Sequence, residues 1–362
     1  MMKTFFLTLL ASLCLAFSYQ VSANIQSADT SSPATSSATV LLYHHVADNT
    51  PASTSISPDQ FKQHMEYLSQ HHTVVPLQQV IEAIKNSQPL PENAVAITFD
   101  DGYQNIFDNG HPVLKSYGFP YTIFINPLEI GKSRSQLTWE TIKKMQSEGA
   151  SFANHTLDHL HMLNKKADET QQKWLERVWN NVVRAEAMIT QNTGESLRYL
   201  AYPFGEFNNL LAEKVTSEGY IGFGQHSGAI GAMSDFGQLP RFPAAGIYAN
   251  LNTLKVKLNS LAMPVMANSL GDPELVDRQL NDRISVIIET TDVRINQATC
   301  YFNGSLIPTQ VSDNVISYSI EQRLPIGRSR VNCTAPSKTQ SGRYYWYSQP
   351  FFIADELGRY PD

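Results

Sequence analysis

Short apolar runs alternate with amphipathic stretches through the first two thirds of the chain. Runs of this length, with β-branched and aromatic residues among them, are typical of buried strands. The predicted strands cover residues 40–44, 94–99, 121–125, 151–154, 197–201 and 220–224. Between them, apolar side chains recur three and four positions apart, which predicts helices packed on one face.

Capping residues mark the ends of several of these helices. Ser57, followed by Pro58, forms a capping box with proline in the first turn. Thr138 precedes a second helix, which Gly149 can close in a left-handed turn. Repeated strand–helix units predict an α/β protein with a parallel sheet, and a run of about seven such units indicates an open sheet or a barrel.

The first residues have the pattern of a secretory signal. Lys3 precedes an apolar run over residues 5–17, and small residues end at Ala23, after which we expect cleavage. The run is shorter than the roughly 20 residues that span a membrane, so an uncleaved anchor is the less favoured alternative. Residues 24–39 predict a flexible linker. We therefore expect an exported protein, periplasmic or extracellular, with no integral membrane segment after cleavage.

Beyond about residue 275 the helical periodicity ends and β-rich segments follow. They cover residues 284–289, 315–320 and 344–353 and predict a small antiparallel sandwich. Cys300 and Cys333 lie in this part. In an exported chain with no histidine near them in sequence, they predict a disulfide in preference to a metal pair.

Composition narrows the class of protein further. The chain has 362 residues, 42% of them hydrophobic, which fits a folded soluble protein with a sizeable core. Lys and Arg number 27 against 33 Asp and Glu, so the net charge of −6 disfavours a nucleic-acid partner. We predict two domains, a catalytic domain over residues 40–270 and a β domain over 275–362.

Two adjacent carboxylates follow the second predicted strand. Asp100 and Asp101 end the apolar run that begins at Ala94. The carboxyl ends of parallel strands are where α/β proteins build their active sites. One carboxylate can then bind a metal while the other acts on a water molecule. The alternative is a structural one, in which the pair forms a turn and caps the next helix.

Two histidines four residues apart follow the strand at 151–154. His155 and His159 can face one centre across a helical turn or a tight loop. With one aspartate they make a ligand set of two nitrogens and one oxygen, which is typical of a catalytic divalent metal with open positions. Such a centre predicts hydrolysis. A surface histidine pair is the alternative.

With these motifs, the chain resembles the polysaccharide deacetylases of carbohydrate esterase family 4, the NodB homology domain. The resemblance covers roughly residues 40–248 and rests on Thr98-Phe99-Asp100-Asp101 and on His155-Thr156-Leu157-Asp158-His159. It implies a distorted (β/α) barrel of about seven strands. It also implies that Asp101, His155 and His159 bind a divalent cation, zinc before cobalt or nickel, and that Asp100 is the general base.

The third family motif departs from the usual pattern. Many members have an arginine two residues before the proline, where this chain has Ala201 in Ala201-Tyr202-Pro203-Phe204-Gly205. This form resembles the subgroup of poly-β-1,6-N-acetylglucosamine deacetylases. It implies that the Phe204 N–H is an oxyanion donor and that Tyr202 lines the site. Arg241 either replaces the missing charge or forms a structural salt bridge, and Tyr103 is a further candidate for substrate binding.

The family's late catalytic histidine motif is absent after residue 226. The subgroup supplies this histidine from its first strand, and Tyr43-His44-His45 fits that arrangement. Successive strand side chains face opposite ways, so only one histidine of the pair can face the centre. We favour His44 as the general acid, with His226 as its rival.

The expected function is therefore removal of N-acetyl groups from an extracytoplasmic polysaccharide that contains N-acetylglucosamine. An O-acetyl esterase acting on an acetylated glycan would use nearly the same residues. A catalytically silent glycan-binding protein is the alternative from another class, with the aromatic side chains of residues 344–347 stacking on sugars. The acid and histidine set argues against it.

Overall fold

The structure is a computed structural model that describes Met1 and residues 37–361. The predicted signal peptide and most of the predicted linker therefore lie outside the described residues. Within the described part of the chain, no helix is long and apolar enough to cross a membrane.

A curled, mostly parallel sheet forms the first part of the fold. Seven strands follow one another across it in the order β10-β1-β5-β6-β7-β8-β9, with β11 beside β1 and β4 beside β5. The curl makes an incomplete barrel, which confirms the predicted α/β fold. The strands of this part are β1 (Ser37–Tyr43), β2 (His45–Val46), β3 (Ser55–Ile56), β4 (Thr73–Val74), β5 (Ala94–Asp101), β6 (Tyr121–Ile125), β7 (Ala150–Asn154), β8 (Tyr199–Ala201), β9 (Ile221–Phe223), β10 (Ala229–Gly231) and β11 (Phe242–Pro243).

The first strand begins earlier than the sequence predicts. Ala38 pairs with Ile230 of the antiparallel strand β10 and is almost fully buried. The predicted linker is therefore wrong over residues 37–39, because these residues pair with β10 and Ala38 and Thr39 are buried within the sheet.

Seven helices accompany the sheet, and their caps confirm the sequence pattern. The Ser57 and Thr138 hydroxyls accept hydrogen bonds from the first turns of α1 and α4. Gly149, with φ 103°, follows α4. The helices are α1 (Pro58–His71), α2 (Leu77–Lys85), α3 (His111–Tyr117), α4 (Trp139–Ser147), α5 (Gln171–Thr193), α6 (Asn209–Ser217) and α7 (Leu251–Leu258).

The register of the sheet aligns the candidate residues. Asp101 of β5 lies beside Ile125 of β6, and Ile125 lies beside Asn154 of β7. Asn154 in turn lies beside Leu200 of β8. The carboxyl ends of four strands therefore meet at one edge, where the segments after them can form one site.

Two further sheets pack face to face at the C-terminal end. One runs β12-β21-β20-β16-β17, with β14 beside β21, and the other runs β13-β15-β19-β18. They share one apolar core, which confirms the predicted sandwich, and the Cys300–Cys333 disulfide joins β16 to β20. The strands are β12 (Ser260–Ala262), β13 (Val265–Asn268), β14 (Glu274–Leu275), β15 (Ile284–Ile288), β16 (Thr299–Phe302), β17 (Ser305–Ile307), β18 (Thr309–Ser312), β19 (Val315–Tyr318), β20 (Gly327–Pro336) and β21 (Tyr344–Ile353).

The sandwich and the barrel are in direct contact. The rings of Phe207 and Phe352 pack edge to face at 5.3 Å, and those of Phe242 and Trp346 do so at 5.4 Å. Strands β12 and β13, which precede residue 270, already belong to the sandwich sheets. The domain boundary at 270–275 stays a prediction, because residues 35–362 form one compact unit.

Candidate active site

Both carboxylates of the first motif reach the same edge of the sheet, because the side chains at the end of β5 no longer alternate between the two faces of the strand. Phe99 packs in the apolar core, and Asp100 points to the opposite face of the strand. A regular strand would turn Asp101 back towards the core, but Asp101 has φ 73°. Gly102 follows with φ 71°, and a Cβ there would lie 3.0 Å from Ile125 Cγ2. The glycine therefore permits the turn that presents Asp101.

The second motif forms a tight loop after β7. Thr156 and His159 have φ values of 67° and 56°, which are rare for residues other than glycine. Asn154 Oδ1 accepts from the Thr156 N–H at 2.8 Å. Asn126 Nδ2 donates to the carbonyl oxygens of His155 and Thr156. Strained backbone held in place by side-chain hydrogen bonds is characteristic of functional sites.

Asp101, His155 and His159 converge on one point. Asp101 Oδ1 lies 3.3 Å from Nε2 of each histidine. His155 Nδ1 lies 2.8 Å from the carbonyl oxygen of Ala201, so this nitrogen carries the proton and Nε2 presents a lone pair. Among residues 37–361, the buried Asp101 Oδ1 and His155 Nε2 find no hydrogen-bond partner. Two electron-rich atoms that face each other in this way, with the imidazole oriented from behind, fit a divalent cation.

Arg241 holds Asp100 in a fully buried two-point ion pair. Its Nη1 and Nη2 lie 2.7 Å and 2.8 Å from Oδ1 and Oδ2 of the carboxylate. Arg241 Nε donates to the carbonyl oxygen of Gly224, which fixes the guanidinium plane. Burial alone would raise the pKa of Asp100, but Arg241 and His155 lower it below its usual range. Arg241 therefore forms a salt bridge, and the expectation that it binds substrate is wrong, because its side chain is fully buried against Asp100.

The two histidines after β1 face different surroundings. Tyr43 of β1 pairs with Phe99 of β5, so His44 follows β1 beside the first motif, and Asp101, Asp100, Arg241 and His155 act on its pKa. Burial is the largest effect and lowers the pKa of His44. His45 Nδ1 instead accepts from Asn105 at 2.9 Å.

Tyr103 stands beside the candidate metal ligands. Its ring stacks on that of His45 at 3.6 Å, and the charge of the Asp101 carboxylate acts on its hydroxyl. Burial and then the charge of Asp101 raise its pKa. Tyr103 therefore keeps a neutral hydroxyl at the rim of the centre.

Two of the candidate side chains lie away from the centre. Tyr202 is fully buried, and its hydroxyl donates to the Gly237 carbonyl oxygen at 2.6 Å, so its ring belongs to the core and the expectation that it lines the site is wrong. His226 packs near Phe207, and burial together with Arg330 and Arg241 lowers its pKa to about 3. Neither active-site carboxylate acts on His226.

Phe204 occupies a strained turn next to the second motif. Its φ is 59°, and its ring stacks on His161 at 3.8 Å and packs edge to face with His159 at 4.5 Å. Arg328 of β20 donates through Nη1 to the Phe204 carbonyl oxygen. The C-terminal sandwich therefore contacts the backbone of the turn that carries a candidate oxyanion donor.

Sequence reasoning missed three residues that support the site. Asn126 and Asn154 position the second motif, and each is a polar residue at the carboxyl end of a buried strand. The same position at a strand end identified Asp100 as a candidate, so Asn126 and Asn154 could have been found in the same way. Arg328 left no such signal, because it is one charged residue on a strand of another sheet.

The site is thus a set of two histidines and one carboxylate at the strand ends of an incomplete β/α barrel, and this set could hold a metal ion. The family model for polysaccharide deacetylases matches residues 87–222, which include both motifs. The chain therefore carries a polysaccharide deacetylase domain over these residues.

Relatives and solved structures agree with this assignment. The poly-β-1,6-N-acetyl-D-glucosamine N-deacetylase of Staphylococcus aureus is 27% identical over 194 residues, 52% of this chain and 67% of that protein. YxkH of Bacillus subtilis is 28% identical over 185 residues, 50% of this chain, and the match spans only 61% of YxkH.

Two solved structures share the fold. Streptococcus pyogenes deacetylase PplD has a TM-score of 0.55 at 20% identity, with 62% of this chain and 99% of that chain covered. IcaB from Ammonifex degensii has a TM-score of 0.54 at 22% identity, with 62% and 97% covered. Both likenesses cover 62% of this chain rather than the whole of it.

Proposed function

We propose that the protein is a metal-dependent hydrolase that removes N-acetyl groups from a polysaccharide containing N-acetylglucosamine, outside the cytoplasm. The observation that carries the proposal is the convergence of Asp101, His155 and His159 with two buried, unpartnered ligand atoms. Two imidazoles and one carboxylate suit zinc, and cobalt or nickel would accept the same set. When bound, such a cation polarises the acetyl carbonyl and lowers the pKa of water.

Asp100 is the general base of this proposal. Its carboxylate Oδ2 lies 4.0 Å from His155 Nε2, within reach of a water molecule at the centre. The fork of Arg241 keeps the carboxylate charged and fixes its plane. An oriented base of this kind accepts the proton of the attacking water as the carbon–oxygen bond forms.

Phe204 supplies the proposed oxyanion donor. Its N–H belongs to the strained turn that Arg328 and the His161 ring hold in place. A backbone N–H fixed in advance stabilises the developing negative charge without reorganising, and loss of one such donor costs about 10²-fold or more in rate.

His44 is the proposed general acid, and substituting it should distinguish its role from that of His226. We expect His44→Asn to lower kcat for deacetylation by about 10²- to 10⁴-fold, because protonation of the leaving amine is lost. The matched variant His226→Asn should change kcat less than tenfold, since the active-site carboxylates do not act on His226. Steady-state kinetics on an N-acetylated oligomer measure both, and a larger loss in His226→Asn would reverse the assignment.

The substrate proposal follows the named function of the Staphylococcus aureus relative. The test incubates the protein with defined oligomers of β-1,6- and β-1,4-linked N-acetylglucosamine and with an O-acetylated xylan oligomer. We expect free amine and acetate in equal amounts, fastest from the β-1,6 oligomer. Acetate without amine, from the xylan oligomer alone, would establish an O-acetyl esterase instead.

A further inference from the structure

A second concave surface lies where the sandwich meets the barrel. It is a groove of about 680 Å³ between strands β20 and β21 on one side and the segment from Tyr248 to α7 on the other. Phe204 and Gly205 line one end of it, so the groove begins at the turn beside the candidate metal centre. A glycan chain that reaches the centre can therefore continue into the groove.

Two cations converge on one aromatic ring in this groove. Lys257 Nζ lies 4.1 Å from the centre of the Tyr248 ring, and Arg330 Cζ lies 5.8 Å from it. Arg330 Nη2 also donates to the Tyr248 hydroxyl at 3.1 Å. Lys257 is only 4% exposed, and its ammonium donates to the Pro243 carbonyl oxygen at 2.9 Å.

These cations have no acidic partner in the structure. Within residues 37–361, neither Lys257 nor Arg330 has a carboxylate oxygen within 4.0 Å, and no Asp or Glu lines the groove. Burial and the charge of Arg330 lower the pKa of Lys257 to about 7. Two like charges held together away from water cost free energy, which a bound anion would offset.

The other groove residues suit a sugar. The half-buried Trp346 lines the groove together with Asn303 and Asn332. An aromatic face beside several polar groups is the usual composition of a carbohydrate subsite.

We propose that this groove binds a sugar unit bearing a carboxylate, so that a glycan with acidic units beside N-acetylglucosamine binds more tightly than the neutral polymer. The proposal rests on the proposed function for its orientation. Arg330 provides the planar fork that matches a carboxylate, and Lys257 adds a second positive charge. The same charges repel the ammonium group of a deacetylated unit, which would keep product out of the groove.

The test compares two tetrasaccharides by calorimetry in protein stripped of metal by a chelator, so that neither is turned over. One alternates glucuronate with N-acetylglucosamine, and the other contains only N-acetylglucosamine. We expect the acidic oligomer to bind at least about tenfold more tightly, and Arg330→Gln and Lys257→Met each to remove most of that difference. Lys255→Met is the matched control, because Lys255 lies on α7 over the Tyr67 ring, outside the groove.

Equal affinity for the two oligomers would overturn the proposal, as would a preference that Arg330→Gln leaves intact. If sulfate at millimolar concentration displaced the acidic oligomer and bound the groove as tightly as that oligomer does, the groove would be an unspecific anion site. This result would also overturn the proposal. Deacetylation of the neutral oligomer, measured on the metal-loaded protein, reports on the proposed function separately. That function stands even if the groove shows no preference for acid.

Discussion

Asp100→Asn is expected to lower kcat for deacetylation by about 10²- to 10⁴-fold while KM changes little, because the general base is lost and substrate contacts are kept. The variant keeps the size and shape of the side chain. It leaves the guanidinium of Arg241 buried without its negative partner. We therefore expect a lower free energy of unfolding as well as a lower rate, measured by steady-state kinetics and by denaturant unfolding.

Arg241→Met separates the loss of stability from the loss of the general base, because it breaks the ion pair and keeps Asp100. Loss of one partner from a fully buried pair costs about 3–5 kcal/mol in stability, and the unpaired Asp100 carboxylate then has a higher pKa. The pKa of Asp100 is lower in the folded protein than in the unfolded chain. The carboxylate therefore stabilises the fold at pH values above its pKa in the unfolded chain, and this stabilisation is lost as the pH falls through its pKa in the folded protein.

The double variant Asp100→Asn with Arg241→Met gives the control. Removing both charges should recover most of the lost stability and none of the activity. Equal activity of Arg241→Met and the unaltered protein across the pH profile would show that Arg241 does not position Asp100.

His155→Ala is expected to abolish both metal binding and deacetylation. The His155 imidazole is fully buried, and its Nδ1–H bonds to the Ala201 carbonyl oxygen, so it is the most rigidly held of the three ligands. Loss of an outer-shell partner alone costs 10- to 100-fold in metal affinity, and loss of a ligand should exceed about 100-fold. Elemental analysis after dialysis measures the metal content.

His71→Ala serves as the control for this variant, because His71 is an exposed histidine near the end of α1. It should keep stoichiometric metal and full activity. A His155→Ala protein that retained stoichiometric metal would contradict the ligand set, whatever its activity.

Much of the fold follows from local sequence patterns. Strand runs and capping residues each depend on neighbouring residues, and the structure agrees with them. The positions of Asp101 and His155 were equally predictable, because carboxyl ends of adjacent parallel strands must meet at one edge.

The remaining features depend on contacts between distant parts of the chain. Arg241 is 141 positions from Asp100, so the sequence alone did not decide between a replacement charge and a structural salt bridge. Tyr202 follows the end of a strand, as a site residue would. Its ring nevertheless lies in the core, where its hydroxyl donates to the Gly237 carbonyl oxygen. The hydrogen bond from Arg328 to the Phe204 carbonyl depends on how the sandwich docks, which no local pattern contains.

The central claim is that Asp101, His155 and His159 hold a metal that the deacetylation requires. The most direct measurement follows amine release from β-1,6-linked N-acetylglucosamine oligomers by the chelated protein during titration with zinc. The account predicts no activity without metal and a linear rise that ends at one zinc per chain. Full activity in the chelated protein, or no activity at saturating zinc, cobalt or nickel, would contradict it.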